Sequence, residues 1–224
     1  MSETLGLIFD MDGVLVDSYR THLASWQRAA KEKGLHVSDE DFARTFGRTS
    51  RDIIGLLWPG KFNDAEVAAF DLRKEALYRE ILGEDFPEMD GAGDLIAALD
   101  AAGFLLAIGS SGPPENVDLV RRCVGNGRLI RAAVTGAEVA RGKPDPQVFL
   151  LAAGKLNVSP GRCAVIEDAP VGVEAARRAG MLSIGLLGTA PKEKLAAHAH
   201  IVVSSLRQLN ADLITQAIQN TTRP

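Results

Sequence analysis

The sequence predicts an α/β protein: an open, mostly parallel β-sheet with an all-helical segment inserted after its first strand. Three observations carry this prediction. Short apolar runs at residues 5–9, 104–108, 132–134, 163–166, 182–187 and 201–203 are continuous rather than alternating, as expected of strands covered on both faces. Helix-like segments at 93–102, 146–155 and 172–179 separate several of these runs, and Gly103 and Gly180 follow two of them as stop signals. Between residues 17 and 83, by contrast, the pattern is helical and holds no convincing strand.

Taken in order, the first run stops at Asp10 and Asp12, two acids that also disqualify it as the apolar stretch of a signal peptide. In the insert, Tyr19, Leu23, Trp26 and Ala30 fit one helix face, and Val67, Phe70, Leu77 and Ile81 fit another. Gly34, Ser38-Asp39, residues 47–50 and Pro59-Gly60 break the helices apart. Phe86-Pro87 returns the chain to the sheet. The expected organisation is therefore an α/β core of residues 1–16 and 87–224, and an inserted helical domain of residues 17–86.

Composition narrows the class. With 46% hydrophobic residues, a chain of 224 can bury a sizeable core. The net charge of −4 and the lack of any Lys/Arg cluster argue against nucleic acid or an anionic membrane as partner. Nothing approaches a transmembrane span. Cys123 and Cys163 share no motif; Cys163 opens an apolar run and reads as a buried thiol, which suits a reducing cytoplasm. No heptad seam defines an oligomeric state.

Ligands of parallel α/β sheets bind beyond the carboxyl ends of strands. Asp10 and Asp12 follow the first run, Gly109-Ser110-Ser111-Gly112 the second, Gly142-Lys143-Pro144 the third after a short interval, and Glu167-Asp168 the fourth. Such acids offer hard oxygen ligands to Mg²⁺ from Asp10, Asp168 and Glu167. An aspartate at a strand end can attack phosphorus, and Asp12 can protonate the leaving oxygen and later activate water. Ser110, with the main-chain N–H groups of Ser111 and Gly112, can cradle phosphoryl oxygens. Lys143 offsets the gathered negative charge. Each feature alone has an ordinary explanation: a turn for the Asp pair, a loop for the Ser-Ser pair, a helix start for Lys-Pro-Asp-Pro, a cap for Glu167-Asp168. Their succession at strand ends is what independent local causes explain badly.

Asp10-Met11-Asp12-Gly13-Val14-Leu15-Val16-Asp17 resembles the first motif of the haloacid dehalogenase-like superfamily, Ser110 the second, Lys143 in Gly-Lys-Pro-Asp-Pro the third, and Glu167-Asp168-Ala-Pro-Val-Gly the fourth. The resemblance spans essentially the whole chain and implies a Rossmann-like catalytic core with the insert of residues 17–86 as a helical cap that governs substrate specificity. It implies Asp10 as nucleophile, Asp12 as general acid/base, and Mg²⁺ held by Asp10, the Asp12 carbonyl, Asp168 and Glu167. The insert is similar to that of the β-phosphoglucomutase branch at His22, Trp26, Gly47, Ser50-Arg51 and Lys74, where the arginine binds the distal phosphate and the histidine and lysine serve closure and sugar recognition. Lys74 also lies within the apolar stripe of its helix, and Arg51 on the apolar side of its own, so both are expected to face a phosphorylated substrate.

After Gly112 the chain departs from the mutase, placing Pro113-Pro114 where that enzyme has a lysine and an asparagine. The expected activity is accordingly Mg²⁺-dependent hydrolysis of small phosphomonoesters, sugar phosphates above all, through an aspartyl-phosphate. A hexose-phosphate mutase is the alternative, followed by a non-catalytic binding protein; Lys74 is the sole candidate for Schiff-base phosphonate cleavage.

Overall fold

The computed structural model describes residues 4–46 and 48–221, Asn126 by its main chain alone. Gly47 therefore lies outside the described residues. The chain falls into two compact units, residues 1–17 with 88–224, and residues 18–87.

In the first unit, β1 (Gly6–Phe9), β2 (Leu105–Gly109), β3 (Ile130–Val134), β4 (Cys163–Glu167), β5 (Leu182–Leu186) and β6 (Ile201–Val203) form one sheet in the order β3-β2-β1-β4-β5-β6. Every neighbouring pair is parallel. The continuous apolar runs are explained by this: Leu7, Ile8 and Phe9 of β1 and Ala164, Val165 and Ile166 of β4 are fully buried on both faces of the sheet. β3 starts two residues before the apolar run, because an edge strand tolerates Arg131, whose exposed side chain pairs with Asp100 at 3.6 Å. The strand order reverses direction between β1 and β4, so the carboxyl ends of those two strands flank a topological switch point.

The second unit is α1 (Tyr19–Glu32), α2 (Asp39–Thr45), α3 (Ser50–Leu57) and α4 (Asp64–Glu84). Local chemistry sets three of the starts. Ser38 and Asp41 form a capping box on α2, Thr49 caps α3 by accepting the Asp52 N–H, and Asn63 and Glu66 form a capping box on α4. Trp26, Ala29 and Ala30 of α1 pack with Phe42, Ile53, Ile54, Phe70 and Leu77 into a core of the unit's own. Arg73 of α4 fastens onto Glu32 at the end of α1, Nη2 lying 2.7 Å from Oε1.

Around the sheet, α5 (Ala92–Ala101) packs on β2, α6 (Pro114–Cys123) on β3, α7 (Gln147–Leu156) on β1, β2 and β3, α8 (Pro170–Arg178) on β4 and β5, α9 (Lys192–Ala196) on β6, and α10 (Ala211–Thr221) on β4 and β5. Cys163, at the start of β4, is fully buried, and burial pushes its thiol up to about 12; neither it nor Cys123 is in a disulfide. Among the described residues no helix is long and apolar enough to cross a membrane.

Candidate active site

Asp10 is the first residue beyond β1, and its N–H donates to the Ile166 carbonyl of β4 at 2.9 Å. The parallel register sets Phe9 opposite Ile166, so Glu167 and Asp168 emerge beside it from the neighbouring strand. Oxygens of Asp10, Glu167 and Asp168 lie within 4.8 Å of one another, and all three residues are buried. Lys143 enters from the loop after β3. Its Nζ donates to Asp10 Oδ1 at 2.5 Å and to Glu167 Oε1 at 2.8 Å, and it lies 4.9 Å from the centroid of the Phe149 ring.

Several local devices aim these groups. The loop carrying Lys143 is held by Gln147, whose Oε1 accepts the Ala140 and Arg141 N–H groups at 2.9 and 3.2 Å. The Ala169 N–H donates to Glu167 Oε2 at 2.7 Å, just ahead of α8. Two glycines leave room for the carboxylates. Gly13 has a left-handed φ of +77°, and a Cβ there would come 2.1 Å from Asp168 Oδ2. A Cβ on Gly172 would come 1.6 Å from Glu167 Oε1.

Three carboxylates share this pocket with one ammonium, and the electrostatics reflect the imbalance. Burial raises the Asp10 carboxyl well above its ordinary range; Lys143 opposes this, while Glu167 and Asp168 add to it. Burial, reinforced by Glu167, pushes Asp168 up to about 7 against the hydrogen bond from Thr189. For Lys143, burial acts downward, yet the adjacent Asp10 and Glu167 hold its ammonium above the usual lysine range. An all-oxygen donor set with surplus negative charge suits a hard divalent cation such as Mg²⁺.

The other expected positions separate into groups. Ser110 is buried at the end of β2, with its N–H on the Val134 carbonyl at 3.0 Å. Ser111 is exposed beside it. The Gly112 N–H donates to Ser110 Oγ at 3.0 Å in the tight loop. Asp12 is half-buried and bridges to Val16 in the turn after β1, outside the three-carboxylate group. In the helical unit, His22 stacks on Tyr78 with centroids 4.3 Å apart. Lys74 is only 5% exposed; its Nζ lies 5.9 Å from the Trp26 and Tyr78 rings and donates to Glu75 at 2.6 Å. Arg51 departs from the apolar side on which periodicity placed it. Its side chain is 63% exposed and paired with Asp64 at 2.5 Å rather than turned to the apolar side, because it sits in the first turn of α3 and only Ile53 and Ile54 of that helix are buried.

Thr189 is a site residue that reading the sequence missed: its hydroxyl donates to Asp168 Oδ2. The signal was present, since Thr189 lies just past the end of β5, a strand end like the four that were considered.

The chain belongs to the haloacid dehalogenase-like hydrolases, the family that matches residues 5–180. It is 31% identical to the validoxylamine A 7'-phosphate phosphatase of Streptomyces hygroscopicus subsp. limoneus, over 90% of this chain and 94% of that protein. It is 32% identical to hexitol phosphatase A of Escherichia coli, over 94% and 98% respectively. A crystal structure of β-phosphoglucomutase from Clostridium difficile shares the fold with a TM-score of 0.80 at 24% identity, covering 97% of this chain and 98% of that one. This chain is thus an enzyme of the haloacid dehalogenase-like phosphatase type.

Proposed function

We propose that the protein is a Mg²⁺-dependent phosphomonoester hydrolase of the cytoplasm that acts on small sugar or polyol phosphates. The observation that carries this reading is the buried group formed by Asp10, Lys143, Glu167 and Asp168 at the switch point of the sheet. A carboxylate of Asp10 attacks phosphorus, the bond to the alcohol oxygen breaks, and Asp12 gives that oxygen its proton. The product of this half-reaction is an aspartyl-phosphate on Asp10. Asp12 then takes a proton from water as the water attacks phosphorus, releasing inorganic phosphate and regenerating the Asp10 carboxylate.

Asp10, Glu167, Asp168 and the main-chain carbonyl of Asp12 would hold the Mg²⁺, which supplies positive charge to the transferring phosphoryl group. Lys143 orients the Asp10 carboxylate for attack and opposes the burial that raises it. Ser110 is the hydroxyl donor for a phosphoryl oxygen, with its orientation set by the Gly112 N–H. Ser111 and Gly112 line the same loop. Arg51, Lys74 and His22 of the helical unit are the candidates for recognising the rest of the substrate.

Pro113 and Pro114 favour hydrolysis over phosphoryl return to a sugar. Pro114 opens α6 and Pro113 stands at its cap, so this turn offers no polar side chain to a second phosphate. The two relatives above are named as a validoxylamine A 7'-phosphate phosphatase and a hexitol phosphatase, which supports a small phosphorylated substrate of this class. A panel of phosphorylated metabolites assayed with Mg²⁺ tests the reading, with β-glucose 1-phosphate and a bisphosphate primer included. Inorganic phosphate from sugar or polyol phosphates is the expected product. Conversion of β-glucose 1-phosphate to its 6-phosphate faster than phosphate release would overturn it in favour of a mutase.

A further inference from the structure

We propose that Thr189 is a positioning residue that fixes the Asp168 carboxylate and thereby sets the affinity of the acidic group for its divalent cation. The inference rests on the reading of Asp10, Glu167 and Asp168 as that cation's ligands. Lys143 bonds two of the three carboxylates, Asp10 and Glu167. Asp168 is served differently: the Thr189 hydroxyl donates to its Oδ2. The main chain closes in on the same oxygen, because a Cβ built on Gly13 would fall 2.1 Å from Asp168 Oδ2 and 3.3 Å from Thr189 Oγ1. Asp168, Gly13 and Thr189 therefore converge from the loops after β4, β1 and β5.

The choice of a hydroxyl has a physical consequence. A carboxylate offers about four lone-pair directions, so one donor locks its rotation and leaves the remaining directions for a cation. A second ammonium at this place would lock it equally well but would cancel the charge that attracts the cation. A neutral donor orients the ligand without weakening its field. Thr189 is itself exposed, so its hydroxyl is not required to fill the core.

Titration of the metal-free protein with Mn²⁺, followed calorimetrically or by the spectrum of the free ion, tests this. Hydrogen-bond partners of metal ligands typically carry roughly 10–100-fold in affinity, so Thr189→Val should raise the Mn²⁺ Kd by about 10-fold or more. Thr189→Ser, which keeps the hydroxyl, should bind like wild type, and Asp168→Asn should abolish binding. Circular dichroism and Tm of the metal-free Thr189 variants should match wild type, which a purely structural role for Thr189 would not allow. A wild-type Kd in Thr189→Val, with binding lost in Asp168→Asn, overturns the role of Thr189 and leaves the cation site standing. Unchanged binding in Asp168→Asn overturns both. Should Thr189→Val fold poorly, Thr189→Ala must show the same rise in Kd for the inference to survive.

Discussion

Lys143 Nζ lies 2.5 Å from Asp10 Oδ1, across 133 residues of chain, and the same ammonium donates to Glu167 at 2.8 Å. This one cation bridges two buried carboxylates and opposes the burial that raises the Asp10 carboxyl. Replacing Lys143 with Met should lower kcat by roughly 100- to 1000-fold, the scale of losing one preorganised charge in an active site. Breaking a buried pair also costs about 3–5 kcal/mol of stability. Steady-state kinetics with urea unfolding checks both; retained kcat would remove Lys143 from the chemistry.

Gly172 should be irreplaceable for a steric reason. A methyl group there collides with Glu167 Oε1 at 1.6 Å, so Gly172→Ala must displace a carboxylate that also binds Lys143. Overpacking of this kind costs about 1–3 kcal/mol, and kcat should fall with it. Gly154 in α7 is the control, because a Cβ there meets nothing within 4 Å. Gly154→Ala should raise stability by about 0.5–1 kcal/mol with activity intact.

The acidic group also predicts a pH dependence. Asp168 is pushed up from 3.8 to about 7 in the folded protein, so between those values the folded state holds more protons than the unfolded one. The metal-free protein should therefore lose stability through this group as pH rises across that window. Asp10 shifts in the same direction and adds to the loss. A bound cation replaces the protons, so the rise in Tm on adding Mg²⁺ should be larger near neutral pH than in mild acid. Thermal scans with and without Mg²⁺ measure it. An equal rise at both pH values would contradict the assignment, and Asp168→Asn should flatten the dependence.

Much of this was legible in the residues because the relevant signals are local. Continuous apolar runs reported the six strands, and the acids, serine and lysine that end four of them reported the site. What escaped depends on contacts made in three dimensions. Periodicity placed Arg51 on an apolar side, but the first turn of a short helix need not follow the buried stripe of its remainder, and Asp64 claims the guanidinium. The bond from the Gly112 N–H to Ser110 Oγ depends on how the loop folds, which no local motif displays. Thr189 stands alone without a motif, and only the sheet order brings its strand end beside Asp168.

The helical unit should govern substrate choice, and two substitutions separate its parts. Arg51→Ala removes an exposed ion pair, so Tm should not move measurably while the ranking of substrates by kcat/KM changes. Lys74→Met keeps the volume of a buried side chain but strips the charge beside Glu75, Trp26 and Tyr78, and it should change the ranking as well. An identical ranking in wild type and both variants would mean that specificity lies elsewhere.

The central claim is that phosphorus is transferred to Asp10. Rapid acid quenching of a single turnover with a radiolabelled sugar phosphate, followed by peptide mapping, tests it most directly. The label should appear transiently on the peptide that contains Asp10 and be absent from Asp10→Asn, which should release no phosphate. Label on another peptide, or wild-type turnover by Asp10→Asn, would contradict the account.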